Sequence, residues 1–387
     1  MKNFAMFCSI QNLGRITRSR FALVLLFLLV CAGCLHKPEP QTYDPLYDEF
    51  NEIALTGKRA GGATLALDGF SMRWADAPFR VHRLGAGLIG ALAVDNKISG
   101  RALLTLEADP SSRRERFDYN LDYAIVHTGD SMFYHGEVID LPIIVGDGRR
   151  DVAVDLNRNG FGGIPRENIS VFLRGFYLNT EKGSKDGYPV LRFSAGIEHV
   201  RFDARGRLRF DAVMTLDANT RGEERVDAKL FYTVAGIRGG AVTEKSFHVE
   251  QPSKNISSNT VEIKGKPGAY PFAFVGIKSF SLEHGRGAYL VRGLHFRNTD
   301  FRYDARDGSM RFVNRAGLES GGAFRRNGRV HMRARFTLVQ LPAGDNSIRH
   351  TGFHGTSDKL LVQKRIFSMR AAKTMLHFPM NPAKKMK

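Results

Sequence analysis

The sequence predicts an all-β protein built from tandem antiparallel β-sandwich units, about three related repeats, followed by a short basic helical tail. Three observations favour this fold class. Hydrophobic residues alternate with polar residues along many segments, turn-forming residues separate those segments, and similar segments recur about 100 to 110 residues apart. Successive side chains of a β-strand point to opposite faces of a sheet, so a period of two predicts strands with one buried face.

The alternation is clearest in two segments. From 208 to 216 every second residue is apolar: Leu208, Phe210, Ala212, Met214 and Leu216. From 330 to 338 the apolar residues are Val330, Met332, Ala334, Phe336 and Leu338, and the residues between them include His331, Arg333 and Arg335. Turns such as Asp203–Gly206 and Arg326–Gly328 separate these runs. The pattern therefore predicts half-buried antiparallel sheet.

Four pairs of similar segments and one pair of tyrosines indicate an internal repeat. The segments are Leu104–Asp109 with Met214–Asn219, Glu115–Asp118 with Glu224–Asp227, Val171–Leu178 with Phe274–Leu282, and Arg201–Gly206 with Arg302–Gly308, and the tyrosines are Tyr123 and Tyr232. They predict units at 60–165, 166–265 and 266–345, each about the size of one immunoglobulin-like sandwich. Periodicity leaves open an alternative, which is a continuous twisted sheet or half-barrel with an apolar groove across the units.

The first 33 residues have the pattern of a secretory signal peptide. Basic residues between Lys2 and Arg20 precede an uncharged run of 13 residues, Phe21–Gly33, which is shorter than the roughly 20 residues of a membrane-crossing helix. The segment Cys31–Cys34 resembles the lipobox of bacterial lipoproteins, although Cys31 stands where leucine is common. The resemblance covers about 34 residues and implies cleavage before Cys34 and acylation of Cys34, which anchors a chain in the lipid bilayer. An ordinary signal peptide and an uncleaved anchor are the alternatives.

The segment that follows predicts how and where the protein is held. Residues 34–59 are polar and contain Pro38, Pro40 and Pro45, which is typical of a tether. Leu35 stands where aspartate would favour retention in the inner membrane, and by resemblance to lipoprotein sorting in Gram-negative bacteria this favours the outer membrane. We therefore expect a lipid-anchored protein of the cell envelope.

Composition limits the classes of partner and of chemistry. The formal net charge is +18, and cleavage before Cys34 removes four basic residues and leaves +14. Such a charge attracts acidic glycans, lipopolysaccharide or an anionic envelope protein, and nucleic acid is not expected in that compartment. The alternative is that the arginines only keep the strands soluble. Because Cys8 and Cys31 leave with the signal peptide and Cys34 carries lipid, no thiol remains for a disulfide, a metal site or a nucleophile.

One segment resembles the start of a calcium loop. Asp155, Asn157 and Asn159 precede Gly160 at the spacing of alternate oxygen ligands for Ca²⁺. The twelfth loop position is Arg166, where a calcium loop has glutamate, so the alternative is a turn rich in Asp and Asn between strands. No other cofactor is predicted.

The C-terminal segment 346–387 is predicted to be a basic tail. From Lys359 to the end it contains eight Lys or Arg residues and no acid. Ser357 and Asp358 favour the start of a helix, which with apolar residues at helical spacing would lie on anionic headgroups. A solvated basic tail is the alternative.

The sequence favours a non-enzymatic function. It contains no His-Glu-x-x-His motif, no Gly-x-Ser-x-Gly elbow and no phosphate-binding loop. We therefore expect an exported lipoprotein with a binding or structural role in the cell envelope. A lipid-handling or envelope-assembly factor with an apolar groove is the second hypothesis, and an enzyme acting on envelope polymers is the third.

Overall fold

The computed structural model is all-β, as the alternation predicted. It describes residues 47–54, 62–74, 83–94, 97–107, 116–129, 131–144, 146–179, 189–217, 225–252, 256–268, 270–285, 291–320 and 329–358. Cys34 and the predicted signal peptide, the predicted tether apart from 47–54, and the predicted tail from 359 onward lie outside the described residues. Residues 47–54 of the predicted tether and 346–358 of the predicted tail form strands instead. Within the described part the one helical element is a single 3-10 turn, Arg166–Asn168.

The described chain forms eighteen strands. They are β1 Tyr47–Ala54, β2 Gly62–Trp74, β3 Arg83–Val94, β4 Lys97–Glu107, β5 Arg116–Thr128, β6 Ser131–Ile144, β7 Gly146–Val154, β8 Ile169–Asn179, β9 Arg192–Phe202, β10 Leu208–Asp217, β11 Arg225–Ile237, β12 Ala241–Pro252, β13 Ser257–Lys264, β14 Phe272–His284, β15 Val291–Asp304, β16 Ser309–Ser320, β17 Arg329–Leu341 and β18 Asn346–Asp358.

These strands form three six-stranded sheets, in which every neighbouring pair is antiparallel. Sheet 1 has the order β1-β4-β3-β8-β11-β6 and sheet 2 has the order β7-β10-β9-β14-β17-β12. Sheet 3 has the order β13-β16-β15-β2-β5-β18. Adding six to each strand number of one sheet gives the next sheet, if the count returns to β1 after β18. The three sheets are therefore related by a pseudo-threefold repeat.

The ring of sheets is closed by both ends of the described chain. β15 of the third repeat pairs with β2 of the first, and β18 pairs with β5. β1 pairs with β4, as β7 pairs with β10 and β13 with β16. If the repeats are counted from β2, β8 and β14, β1 therefore supplies the sixth strand that the third repeat lacks. Each sheet thus combines strands from successive repeats. The predicted unit limits describe the sequence repeat, whereas the sheets assemble across those limits into one compact unit.

The main core lies where the three sheets meet. β2, β8 and β14 occupy the same place in their sheets, and each contributes one buried phenylalanine to a common cluster. The ring centroids of Phe70, Phe176 and Phe280 are 5.2, 5.5 and 5.6 Å apart. The predicted alternation is confirmed in β10, where the five apolar residues at even positions from Leu208 to Leu216 are buried. It is also confirmed in β17, whose apolar residues at even positions join the same core.

A second, smaller core lies on the other side of the sheets. It includes Ala66, Phe172 and Phe274 from the three central strands, and Val339 and Leu341 from β17. We call the face that carries these residues the outer face of each sheet, because it is turned away from the main core. On β17 this face is exposed at Arg333 and Arg335 and enters the second core after Thr337. Each outer face therefore passes from solvent into a buried region.

Candidate functional site on the outer sheet faces

Each central strand carries a charged residue at the point where its outer face becomes buried. The pairing registers of β2 with β5, β8 with β11 and β14 with β17 each skip one residue, and the skipped residues are Asp68, Arg174 and Lys278. Such β-bulges redirect a side chain and interrupt the ladder locally. All three residues are buried, with 2, 3 and 4% of their surface exposed. A buried charge is destabilising unless it is paired, so their partners are informative.

Two of these residues have ionisable partners on the edge strand of the same sheet. Lys278 forms an ion pair with Glu244 of β12. Asp68 Oδ2 lies 2.8 Å from His350 Nδ1 of β18. Burial raises the pKa of Asp68 to about 6, although the hydrogen bond and charge of His350 oppose this shift. The imidazole of His350 stacks on Phe301 at 4.2 Å, which holds its ring beside the carboxyl group.

A polar network crosses three strands on the outer face of sheet 3. Ser71 Oγ lies 2.7 Å from His295 Nδ1, and His295 Nε2 lies 3.1 Å from Glu319 Oε1. Arg73 Nε donates to Glu319 Oε2 at 3.0 Å. Gly293 makes this possible, because a Cβ at that position would lie 2.8 Å from His295 Nε2. The glycine therefore leaves room for the His295 imidazole, on β15, to lie between Ser71 on β2 and Glu319 on β16.

The electrostatics of this network keep Glu319 ionised. Burial favours the neutral acid, but the hydrogen bonds and charges of His295 and Arg73 outweigh it and lower the pKa of Glu319 to about 2. Glu319 is therefore ionised at neutral pH, and Ser71 and His295 share one hydrogen bond. The three groups resemble a serine–histidine–acid relay in their contacts. Ser71 and His295 are 8 and 4% exposed, and their contacts tie β2, β15 and β16 together.

Sheet 2 presents a row of basic side chains on its outer face. Arg329, His331, Arg333 and Arg335 occupy alternate positions of β17, and we call them the arginine row. Glu250 on β12 forms ion pairs with Arg329 and with His331. Within the described part of the chain, Arg333 and Arg335 are exposed and have no ion-pair or hydrogen-bond partner.

The residues directly opposite the two unpaired arginines carry hydroxyls and one imidazole. Ser281 and Ser279 of β14 lie opposite Arg333 and Arg335, respectively. His248 and Ser246 of β12 lie opposite the same two arginines on the other side. Hydroxyl and guanidinium groups are hydrogen-bond donors for anionic oxygens. This patch can therefore bind carboxylate, sulfate or phosphate groups.

The predicted calcium ligands lie in the turn after β7. Asp155 Oδ1 accepts a hydrogen bond from the backbone N–H of Arg158 at 3.1 Å. The side-chain amide of Asn159 donates to the carbonyl oxygen of Asp155 at 2.7 Å, and Asn157 is exposed. These contacts are typical of an Asx turn. Across the described ranges, no group of three or more His, Cys, Asp or Glu residues is placed to hold a metal ion. A calcium site at Asp155, Asn157 and Asn159 stays a prediction.

Sequence reasoning missed most of the buried polar groups. Ser71 and His295 are 224 positions apart in the chain, so only the pairing of β2 with β15 brings them together. The arginine row was visible as the polar side of an alternating segment, but its free and neutralised members could not be distinguished without the neighbouring strands.

Comparison with known proteins gives no family for this chain: no protein-family model, curated protein or solved structure matches it. In the described residues no helix has the length and apolar character needed to span a membrane.

Proposed function

We propose that this protein is an exported lipoprotein, anchored through acylated Cys34, that binds anionic polymers of the cell envelope without catalysing a reaction. The observation that carries the proposal is the arginine row, in which Arg333 and Arg335 are exposed and unpaired within the described residues. Acidic glycans and lipopolysaccharide are the anionic polymers that such a compartment offers. No cofactor takes part in the proposed binding.

The geometry of a strand suits an extended ligand. Alternate residues of a strand are about 6.8 Å apart, so β17 offers a basic group at each such step along its outer face. Guanidinium groups bind carboxylate, sulfate and phosphate oxygens through two parallel hydrogen bonds. Several anchored copies on one membrane would engage one polymer together, which raises apparent affinity through effective concentration.

The packing supports binding over lipid handling. Among the residues whose side-chain burial the structure describes, the only large hydrophobic side chains that are exposed are Ile256 and Phe272. The apolar faces of the three sheets are packed against one another, and phenylalanines fill the place where the sheets meet. An acyl chain needs an open apolar surface of considerable size. Acyl lipids retained after native purification would favour the lipid-handling alternative.

The test is a binding measurement on the detergent-solubilised full-length protein, with polygalacturonate and purified lipopolysaccharide as separate probes. The double variant Arg333→Gln/Arg335→Gln should weaken binding about 2- to 30-fold, because each exposed ion pair contributes roughly 0.2–1 kcal/mol. The matched control is Arg205→Gln/Arg306→Gln, which removes the same charge from two exposed turns. An equal loss in both double variants, or no loss in either, would show that the row is not the binding surface.

A further inference from the structure

We propose that Arg174 on sheet 1 is a binding site for an oxyanion, either a carboxylate or a phosphate group, distinct from the arginine row on sheet 2. Arg174 lies in the bulge of β8, next to Phe172 of the second core. The arginine row belongs to β17 in sheet 2, so this inference does not depend on the proposed function.

The first argument is an unpaired buried charge. Arg174 is 3% exposed, and its Nε and Nη1 atoms are buried without a hydrogen-bond partner in the described residues. Arg174 also forms no ion pair with any described residue. An uncompensated buried charge typically costs several kcal/mol. A ligand oxyanion would reduce that cost by accepting hydrogen bonds from one of the two parallel N–H pairs of the guanidinium, Nε with Nη2 or Nη1 with Nη2.

The second argument comes from the pseudo-threefold repeat. His350 and Glu244, the partners of Asp68 and Lys278, both lie on edge strands, opposite Ala124 and Thr337. Ala124 and Thr337 each pair, on their other side, with the residue of the central strand that lies two positions before the bulged residue. The corresponding position in sheet 1 is His135 of β6, which lies opposite Thr233.

His135 does not neutralise Arg174. A histidine carries no negative charge, and His135 Nε2 lies 2.9 Å from the hydroxyl of Thr64 on the neighbouring sheet. The position that supplies an ionisable partner to Asp68 and to Lys278 is therefore used for a different contact in sheet 1.

The local charge also favours an anion. Glu137 is the acidic residue that acts on Arg174, but its carboxylate lies 3.9 Å from Lys229 Nζ. Arg174 and Lys229 are cations and Glu137 is an anion, so these three side chains together carry one excess positive charge. Burial lowers the pKa of Arg174 to about 10, with Glu137 and Tyr232 opposing the shift, so the guanidinium keeps its proton at neutral pH.

The ligand class follows from the donor. A guanidinium presents parallel N–H groups in a plane, and both carboxylate and phosphate offer two oxygens that match them. These groups occur on free ions and on envelope polymers. Acetate, glucuronate and inorganic phosphate as separate probes distinguish a requirement for carboxylate from one for phosphate.

The experiment is an anion titration of the detergent-solubilised full-length protein, followed by thermal unfolding and by calorimetry, with chloride at matched ionic strength as the reference. We expect at least one probe to raise the unfolding temperature of the wild type, because a ligand that binds only the folded state stabilises it. Arg174→Met should lose this response. The control is Lys278→Met, which changes the equivalent residue in sheet 2 and should retain it.

A second variant keeps the test decisive if Arg174→Met fails to fold. Glu137→Gln removes the competing carboxylate and should tighten binding of the same probe about 1.4- to 5-fold, in line with the removal of one exposed like charge. The proposal is overturned if no probe stabilises the wild type beyond chloride, or if Arg174→Met responds as the wild type does. An experimental structure in which the Arg174 guanidinium is hydrogen-bonded only to Glu137 or to water would also overturn the proposal.

Discussion

Replacing Phe176 with alanine should destabilise all three sheets at once. Phe176 is fully buried on β8, and its ring lies 5.2 Å from Phe70, 5.6 Å from Phe280 and 5.1 Å from Phe193. Truncation of a buried phenylalanine costs about 3–5 kcal/mol. The lost aromatic pairs, each contributing about 0.5–1.5 kcal/mol, place this site at the upper end of that range. Since a folded domain is stable by only about 5–15 kcal/mol, the variant should be marginally stable.

The assay is urea unfolding followed by two signals. Trp74, the single tryptophan of the chain, lies in β2 of sheet 3, whereas far-UV circular dichroism reports on all strands. The control is Phe272→Ala, which removes the same side chain from a position that is 37% exposed and should cost less than about 1 kcal/mol. Because Phe176 and Trp74 belong to different sheets that share one core, both signals should shift together to the same lower midpoint.

A different outcome would refute this reasoning. If the tryptophan transition of Phe176→Ala stayed at the wild-type midpoint while the circular dichroism signal split into two steps, the repeats would fold as independent units. The common phenylalanine cluster would then not couple the sheets.

Three further predictions concern single side chains. The Asp68 carboxyl holds its proton more tightly when folded, with a pKa of about 6 against 3.8, so its contribution to stability is complete below pH 3.8 and is lost as pH rises through 6. Relative to Asp68→Asn, the wild-type free energy of unfolding should fall by up to about 3 kcal/mol over that window, and a parallel pH dependence of the two proteins would contradict this. Glu319 has the opposite sign, because its pKa is lowered from 4.5 to about 2, and its contribution is lost only as pH falls from 4.5 to 2. Acid unfolding of Glu319→Gln should therefore lack that loss, whereas an acid transition identical to the wild type would speak against it. Gly175→Ala would place a Cβ 2.7 Å from Gly87 Cα and should cost about 1–3 kcal/mol in thermal or urea unfolding, whereas Gly162→Ala, with no atom within 4 Å, should be neutral; equal effects would disprove the close approach.

The fold class was predictable because it depends on local patterns. Alternation along β10 and β17 requires only that one face of each strand be buried, and both strands have the predicted buried residues. The repeat was also readable, since Tyr123 and Tyr232 lie in the equivalent strands β5 and β11. Which strands become neighbours was not predictable, because the partners of β2 and β5 lie in the third repeat.

The candidate sites were harder to predict for a chemical reason. The three bulged positions hold an acid, a guanidinium and an amine, so a search for similar residues finds no repeat there. Val171–Leu178 and Phe274–Leu282 were matched, and they contain Arg174 and Lys278, but the equivalent part of β2 shares few residues with either. Partners such as His350 and Glu244 come from other strands, and only the completed sheets show them.

The return of the last strands to the first has a consequence for the order of assembly during synthesis. β2 and β5 can form a hairpin-like pair early, but their outer edges are completed by β15 and β18, which lie about 220 residues later in the chain. At a translation rate of about 5–20 residues per second, the delay is roughly 10 to 45 s. Throughout that interval two strands with bare hydrogen-bonding edges are open to wrong pairing, including with a second nascent copy. A chaperone that shields strand edges should therefore raise the yield of this protein more than it raises the yield of a β-protein of similar size whose strands pair only with near neighbours in the chain.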